Sequence, residues 1–191
     1  LYDFANSAYA TTIMAGLFPV FFKKFFSAGV SIHTSTFYLG LANSVASIVI
    51  AILAPICGAI ADACENKKKF LLSFAFLGIT MSCCLALLGQ GQWPLAITVY
   101  AIATIGFGGA NVFYDALLLI VCPKKDLHYV SSLGFSLGYL GGGLPFTLNV
   151  LMTLYPESFG LASKTEAVKV SFLSVGLWWA LFTIPLMMYL Q

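Results

Sequence analysis

Ser47-Ile48-Val49-Ile50-Ala51-Ile52-Leu53-Ala54-Pro55-Ile56-Cys57-Gly58-Ala59-Ile60-Ala61 decides the fold. A membrane barrel strand alternates polar and apolar side chains over ~10 residues. This run is apolar on both phases, which leaves the helix as the form that satisfies its own backbone in lipid. The run lies in a charge-free window at 25–61, and four more such windows stand at 4–22, 70–114, 127–156 and 170–191. About 20 residues cross the ~30 Å hydrocarbon core, so each window holds a crossing. The window 70–114 holds two, because Gly89-Gln90-Gly91-Gln92-Trp93-Pro94 interrupts it with turn formers and an interfacial aromatic. The reading is an all-α polytopic membrane protein whose six transmembrane helices span 3–26, 36–61, 70–89, 94–121, 129–154 and 168–190. Pro19, Pro55, Pro145 and Pro185 fall inside four of these and predict kinks.

Composition agrees. The 191 residues are 60% hydrophobic and 8% charged, with a mean hydropathy of +0.95, where a soluble domain carries about a quarter charged residues. The net charge of +2 gives no nucleic-acid partner. Cys57, Cys64, Cys83, Cys84 and Cys122 form no C-x-x-C pair, so they read as packed thiols and neither a metal site nor a cofactor is called for. Asp3, not a basic stretch, precedes the first apolar run, unlike a cleaved signal peptide. With Leu at position 1 and an apolar segment running to Gln191, the chain reads as part of a longer polypeptide.

Six crossings return both ends to one side. Lys67, Lys68, Lys69, Lys124 and Lys125 lie in the loops on that side, against Lys23, Lys24, Lys164 and Lys169 on the other. Five against four, with the clusters centred in loops, places the N-terminus in the cytoplasm. Six helices also divide into two sets of three, the inverted repeat of many transporters. Asp3 and Asn6 open the first span and Asn111 and Asp115 stand near the end of the fourth, so both acidic patches face one side of the membrane.

Acidic and amide side chains are costly in a bilayer, and each is a functional candidate. Asp115 sits at the negative end of its helix dipole, where a carboxylate is disfavoured twice. Asn111, one turn earlier on the same face, is placed to bond either Asp115 or a solute. Asp3, Asn6, Ser7 and Ala10 share a face of the first span, lining a water path or bonding another helix. Gly134, Gly138 and Gly142 recur every fourth residue in the fifth span, beside Gly141 and Gly143, and strip one face for close helix approach. Gly106, Gly108 and Gly109 either loosen the fourth span or pack it against the first or fifth. Trp178 and Trp179 lie too deep for an interfacial belt. Gly134-Phe135-Ser136-Leu137-Gly138 also matches G-x-S-x-G, but that hydrolase motif requires a strand-to-helix turn and a nearby His base, whereas His33 and His128 lie elsewhere.

Leu1-Tyr2-Asp3-Phe4-Ala5-Asn6-Ser7-Ala8-Tyr9-Ala10-Thr11-Thr12 closely resembles the first helix of the autophagy-related vacuolar amino-acid effluxer family, a branch of the major facilitator superfamily with many bacterial members. Leu53 to Asp62 followed by Lys67-Lys68-Lys69 resembles that family's second helix and loop. Gly106-Phe107 with Phe113-Tyr114 is similar to its fourth helix, and Leu137 to Gly143 to its fifth. Gly58-x-x-x-Asp62 with downstream Lys67 and Lys68 resembles the superfamily's cytoplasmic signature, a gating loop in which Gly58 admits a helix of the other half and Asp62 meets its N-terminus or a basic partner. Ala63, Glu65 and Asn66 depart from that signature, and the fourth helix lacks the Arg of many proton-coupled relatives.

The resemblance implies twelve helices in two halves, this chain forming the amino-terminal half and lacking the C-terminal six-helix half. Helices one and four are then expected to line a midplane cavity for a small polar solute, with a coupled proton or ion. It implies a non-enzymatic secondary transporter working by alternating access, an amino-acid effluxer, in the cell membrane of a bacterium or the vacuolar membrane of a fungus. A transporter of another metabolite, and a membrane scaffold or receptor whose glycine faces serve helix association alone, are the alternatives.

Overall fold

The computed structural model describes residues 1–64, 66–123 and 125–189, and within those the side chains of all but Ala61, Cys64, Leu119, Val121 and Tyr189. Glu65, Lys124 and the Cys64 thiol lie outside the described residues. Six helical stretches follow one another: α1 (2–26), α2 (Ile32–Cys64), α3 (Lys67–Leu87), α4 (Trp93–Val121), α5 (Leu127–Leu154) and α6 (Lys164–Tyr189). A 3-10 turn at Pro156–Phe159 precedes α6, and no strand occurs among the described residues. Helices α2 to α6 are each long and apolar enough to cross a membrane. Helix α1 covers residues 2–26, more than the about 20 that a crossing needs. The chain is an all-α, multi-pass integral membrane protein.

Helix α1 changes pitch along its length. Tyr2–Ala8 is α-helical, Tyr9–Leu17 is π-helical, Phe18–Phe21 returns to α and Phe22–Phe26 is again π. The Phe18 N–H donates to Ile13 O, five residues back. Pro19 supplies the physical reason: it lacks an N–H and its ring crowds the carbonyl four residues earlier, so a wider preceding turn relieves the clash. The helices of the other spans keep their α pitch at their prolines. Pro55, Pro145 and Pro185 lie inside α2, α5 and α6, each of which continues as one helix across its proline.

Caps extend two helices beyond the apolar windows. Expected at 36, α2 begins at Ile32, because the Ser31 hydroxyl accepts from the Thr34 N–H at 3.2 Å. Expected at 168, α6 begins at Lys164, where Ser163 Oγ accepts from the Glu166 N–H at 3.2 Å and Glu166 Oε2 accepts from the Ala162 N–H at 2.7 Å. Both follow the logic of a hydroxyl with a partner three residues on. Lys67, Lys68 and Lys69 form the first turn of α3 rather than a loop.

The helices pack through glycine and aromatics. A Cβ on Gly106 would lie 2.5 Å from Gly78 N, so α3 and α4 cross backbone to backbone, and Gly78 also receives the Trp179 ring of α6. Gly108 meets Ile50 of α2, and Gly109 meets the Phe74 ring of α3. The glycines of α4 therefore bring it against α2 and α3, not against α1 or α5. Trp179 is fully buried, while the Trp178 indole N–H donates to Phe4 O at 3.1 Å. These two tryptophans dock α6 on the bundle and have no interfacial role.

A candidate solute cavity between α1, α4 and α5

The first and fourth helices run antiparallel and are joined by a ladder of polar contacts. The Tyr114 hydroxyl donates to Asp3 Oδ2 at 3.1 Å. One turn deeper the Asn6 amide donates to Asn111 Oδ1. Deeper again, Tyr9 and Thr104 share a hydrogen bond of 2.9 Å between their hydroxyls. Beyond this rung the ladder becomes aromatic, with Phe18 and Tyr100 stacked at 4.1 Å between centroids and 4° between planes. Phe22, Phe26 and Phe172 pack around Phe18 and close that end of the bundle.

The polar rungs border a cavity of about 370 Å³. Asp3, Asn6, Ser7, Ala10 and Thr11 of α1 form one wall. Phe107, Asn111, Tyr114 and Asp115 of α4 form the second, and Phe135, Gly138 and Tyr139 of α5 the third. Phe107 is the middle residue of Trp93–Val121, so the cavity extends from the end carrying Asp3 and Asp115 to half the depth of α4. The Tyr9 and Phe107 rings lie 5.3 Å apart at its inner end. Tyr139 and Phe135 are exposed on α5.

The glycine row of α5 makes this geometry possible. A Cβ on Gly134 would stand 2.7 Å from Asp3 Oδ2, one on Gly138 would stand 3.1 Å from Ser7 Oγ, and one on Gly142 would stand 2.8 Å from Thr11 Cγ2. At Gly141 the added atom would fall on the Phe4 backbone. The Thr11 hydroxyl reaches Ser7 O at 2.9 Å and Gly142 O at 3.1 Å, tying α1 to α5. Any larger side chain in this row would push α5 away or displace Asp3.

The candidate residues fall into three groups in space. Asp3, Asn6, Asn111 and Asp115 come together at the cavity, and Gly134, Gly138 and Gly142 lie against the same α1 face. Asn111 pairs with Asn6 across the helices instead of with Asp115 along its own. The buried Asn6 amide needs a protein partner, which the exposed carboxylate of Asp115 does not require. Gly58, Asp62, Lys67 and Lys68 lie apart from the cavity. Asp62 pairs with Lys67 at 2.5 Å, the Lys68 ammonium donates to Met187 O at 2.8 Å, and, among the described residues beyond its own helical turn, no atom lies within 4 Å of a Cβ on Gly58. The Asp62 carboxylate thus offsets the three lysines at the positive end of the α3 dipole.

Phe107, Tyr114, Phe135 and Tyr139 were not picked out from the residues themselves, although sequence spacing held a signal. Phe107 lies one turn before Asn111, Tyr114 adjoins Asp115, and Tyr139 adjoins Gly138. Ser136 is inside α5 and donates to Ser132 O at 2.9 Å. That is an ordinary helical serine, without the strand-to-helix turn that exposes a nucleophile.

Comparison with known proteins places the chain in a family. The family model described as "Vacuole effluxer Atg22 like" matches residues 24–128 and 123–191. The "Uncharacterized MFS-type transporter YxiO" of Bacillus subtilis (strain 168) is 40% identical over 193 residues, covering 100% of this chain and 45% of that protein. "Autophagy-related protein 22" of Eremothecium gossypii is 25% identical over 190 residues, covering 91% of this chain and 35% of that protein. The chain spans less than half the length of these relatives. No solved structure matches it. The six-helix bundle, its α1–α4 cavity and these matches agree that the chain belongs to the Atg22-like vacuole effluxer family of the major facilitator superfamily.

Proposed function

We propose that this chain forms the amino-terminal six-helix half of a secondary transporter that exports small polar solutes, amino acids foremost, by alternating access. The cavity between α1, α4 and α5 carries the reading. It has polar groups on two antiparallel helices, extends to half the depth of α4, and is closed on its far side by Phe18, Tyr100 and Phe172. Transport needs no covalent step: a solute binds from one face, the halves rock, and release follows on the other face, with a coupled ion favouring one state. The second half completes the cavity. The lysines at the cavity's end of the bundle support a cytoplasmic N-terminus. Higher identity to the bacterial relative than to the fungal one supports a cell-membrane location.

Reconstitution of the full-length protein in proteoliposomes tests this. Labelled amino acid taken up by counterflow is the expected result. Absence of flux for every solute tried, with the protein folded and inserted, would leave the scaffold reading in its place.

A further inference from the structure

We infer that the cavity selects solutes of net positive charge, holding an amine between the carboxylates of Asp3 and Asp115 and the aromatic side chains around them. The inference rests on the transporter reading and narrows its substrate class. It starts from the charge of the lining. Asp3 and Asp115 are both present, and none of the described lining residues is Lys, Arg or His. The described lysines on that side, Lys67, Lys68, Lys69 and Lys125, do not line the cavity. A carboxylate on the solute meets no opposite charge among the described residues that line the cavity.

The neutral polar groups do not change the balance. Asn6 and Asn111 are engaged with each other, and Thr11 is engaged with backbone carbonyls. Asp3 accepts from Tyr114 through one oxygen. Asp115 is exposed and accepts no hydrogen bond from a described residue, so its full acceptor capacity faces the opening. Two negative groups in one cleft focus the field on a cation.

Aromatic side chains complete the pattern. Phe107, Tyr114, Phe135 and Tyr139 line the cavity, and ring faces attract ammonium groups more strongly as water is excluded. The volume of about 370 Å³ on this half alone already falls within the ~300–1,000 Å³ of ligand pockets, room enough for a small amine. Gly134 fixes the arrangement, because its missing side chain is what leaves room for Asp3 Oδ2.

Three probes of similar chain length separate charge from size: lysine, norleucine and adipate. Binding to the purified full-length protein is measured by calorimetry, and flux by counterflow in liposomes. Lysine is expected to bind about tenfold or more tighter than norleucine, with adipate excluded, from charge-assisted and cation–π contacts. Asp115→Asn should weaken lysine binding about tenfold and so remove most of that preference, and Asp115→Glu should retain it. Equal binding of lysine and norleucine, with flux of both, would overturn the charge selection and leave the transporter reading standing. Preference for lysine that survives Asp115→Asn would overturn the role of Asp115. Neither binding nor flux of any probe would overturn both.

Discussion

The amide of Asn6 donates to the carbonyl oxygen of Asn111 across a sequence separation of 105 residues, locking α1 to α4 beside the cavity. Asn6 is buried at 3% exposure. A lone amide there would lose its partner without gaining water. Asn6→Leu or Asn111→Leu alone is expected to destabilise the full-length protein by about 1–2 kcal/mol, and the double variant by less than the sum. Denaturant titration of the four proteins in a double-mutant cycle measures the difference. Strict additivity would show that the pair does not act as a unit.

The glycine row of α5 makes a sharper contrast. A Cβ on Gly141 collides with the Phe4 backbone, whereas one on Gly143, two residues on, meets no described atom beyond its own helical turn within 4 Å. Gly141→Val should cost about 2–3 kcal/mol by overpacking. Gly143→Ala should be neutral or stabilising by up to about 1 kcal/mol through helix propensity. Thermal unfolding in one detergent compares them directly.

The Asp62–Lys67 pair lies where the sequence resemblance implies a gating loop, and it makes little contribution to stability. Asp62 is exposed, and exposed pairs contribute ~0–1 kcal/mol. Asp62→Asn is therefore expected to leave the unfolding midpoint nearly unchanged while lowering flux several-fold. Parallel melting and counterflow curves separate the two effects, and an unchanged flux would remove Asp62 from the gate.

Asp115→Asn keeps shape and removes charge at an exposed position. Membrane abundance should match wild type, because no described residue depends on this carboxylate for a hydrogen bond. Solute flux should fall by tenfold or more, about 1.4 kcal/mol or above in transition-state terms. Unchanged uptake would sink the role assigned to Asp115.

The helix plan was legible because lipid removes alternatives: an apolar run such as Ser47 to Ala61 has one way to satisfy its backbone. The candidate site was legible in parts. Asp3, Asn6, Asn111 and Asp115 stood out by being polar where polarity is costly, and the Gly134 to Gly142 row by its spacing. That the two features face each other was not legible, since periodicity assigns a residue to a face and says nothing of which helix meets it. The π-helical pitch of Tyr9–Leu17 was also hidden, because a single proline is compatible with several backbone responses. The same limit explains Gly106, Gly108 and Gly109, whose smallness was evident while their neighbours Gly78, Ile50 and Phe74 came from other helices.

The central claim is that a solute path runs between α1, α4 and α5. Cysteine labelling tests it most directly, with Ala10, which lines the cavity, and Ala8, which is fully buried on another side of α1. In a cysteine-free full-length protein, Ala10→Cys is predicted to react with a water-soluble methanethiosulfonate reagent, and transported solute should slow that reaction. Ala8→Cys should stay unreactive. An unreactive Ala10→Cys, or equal reaction at both positions with no protection by solute, would contradict the account.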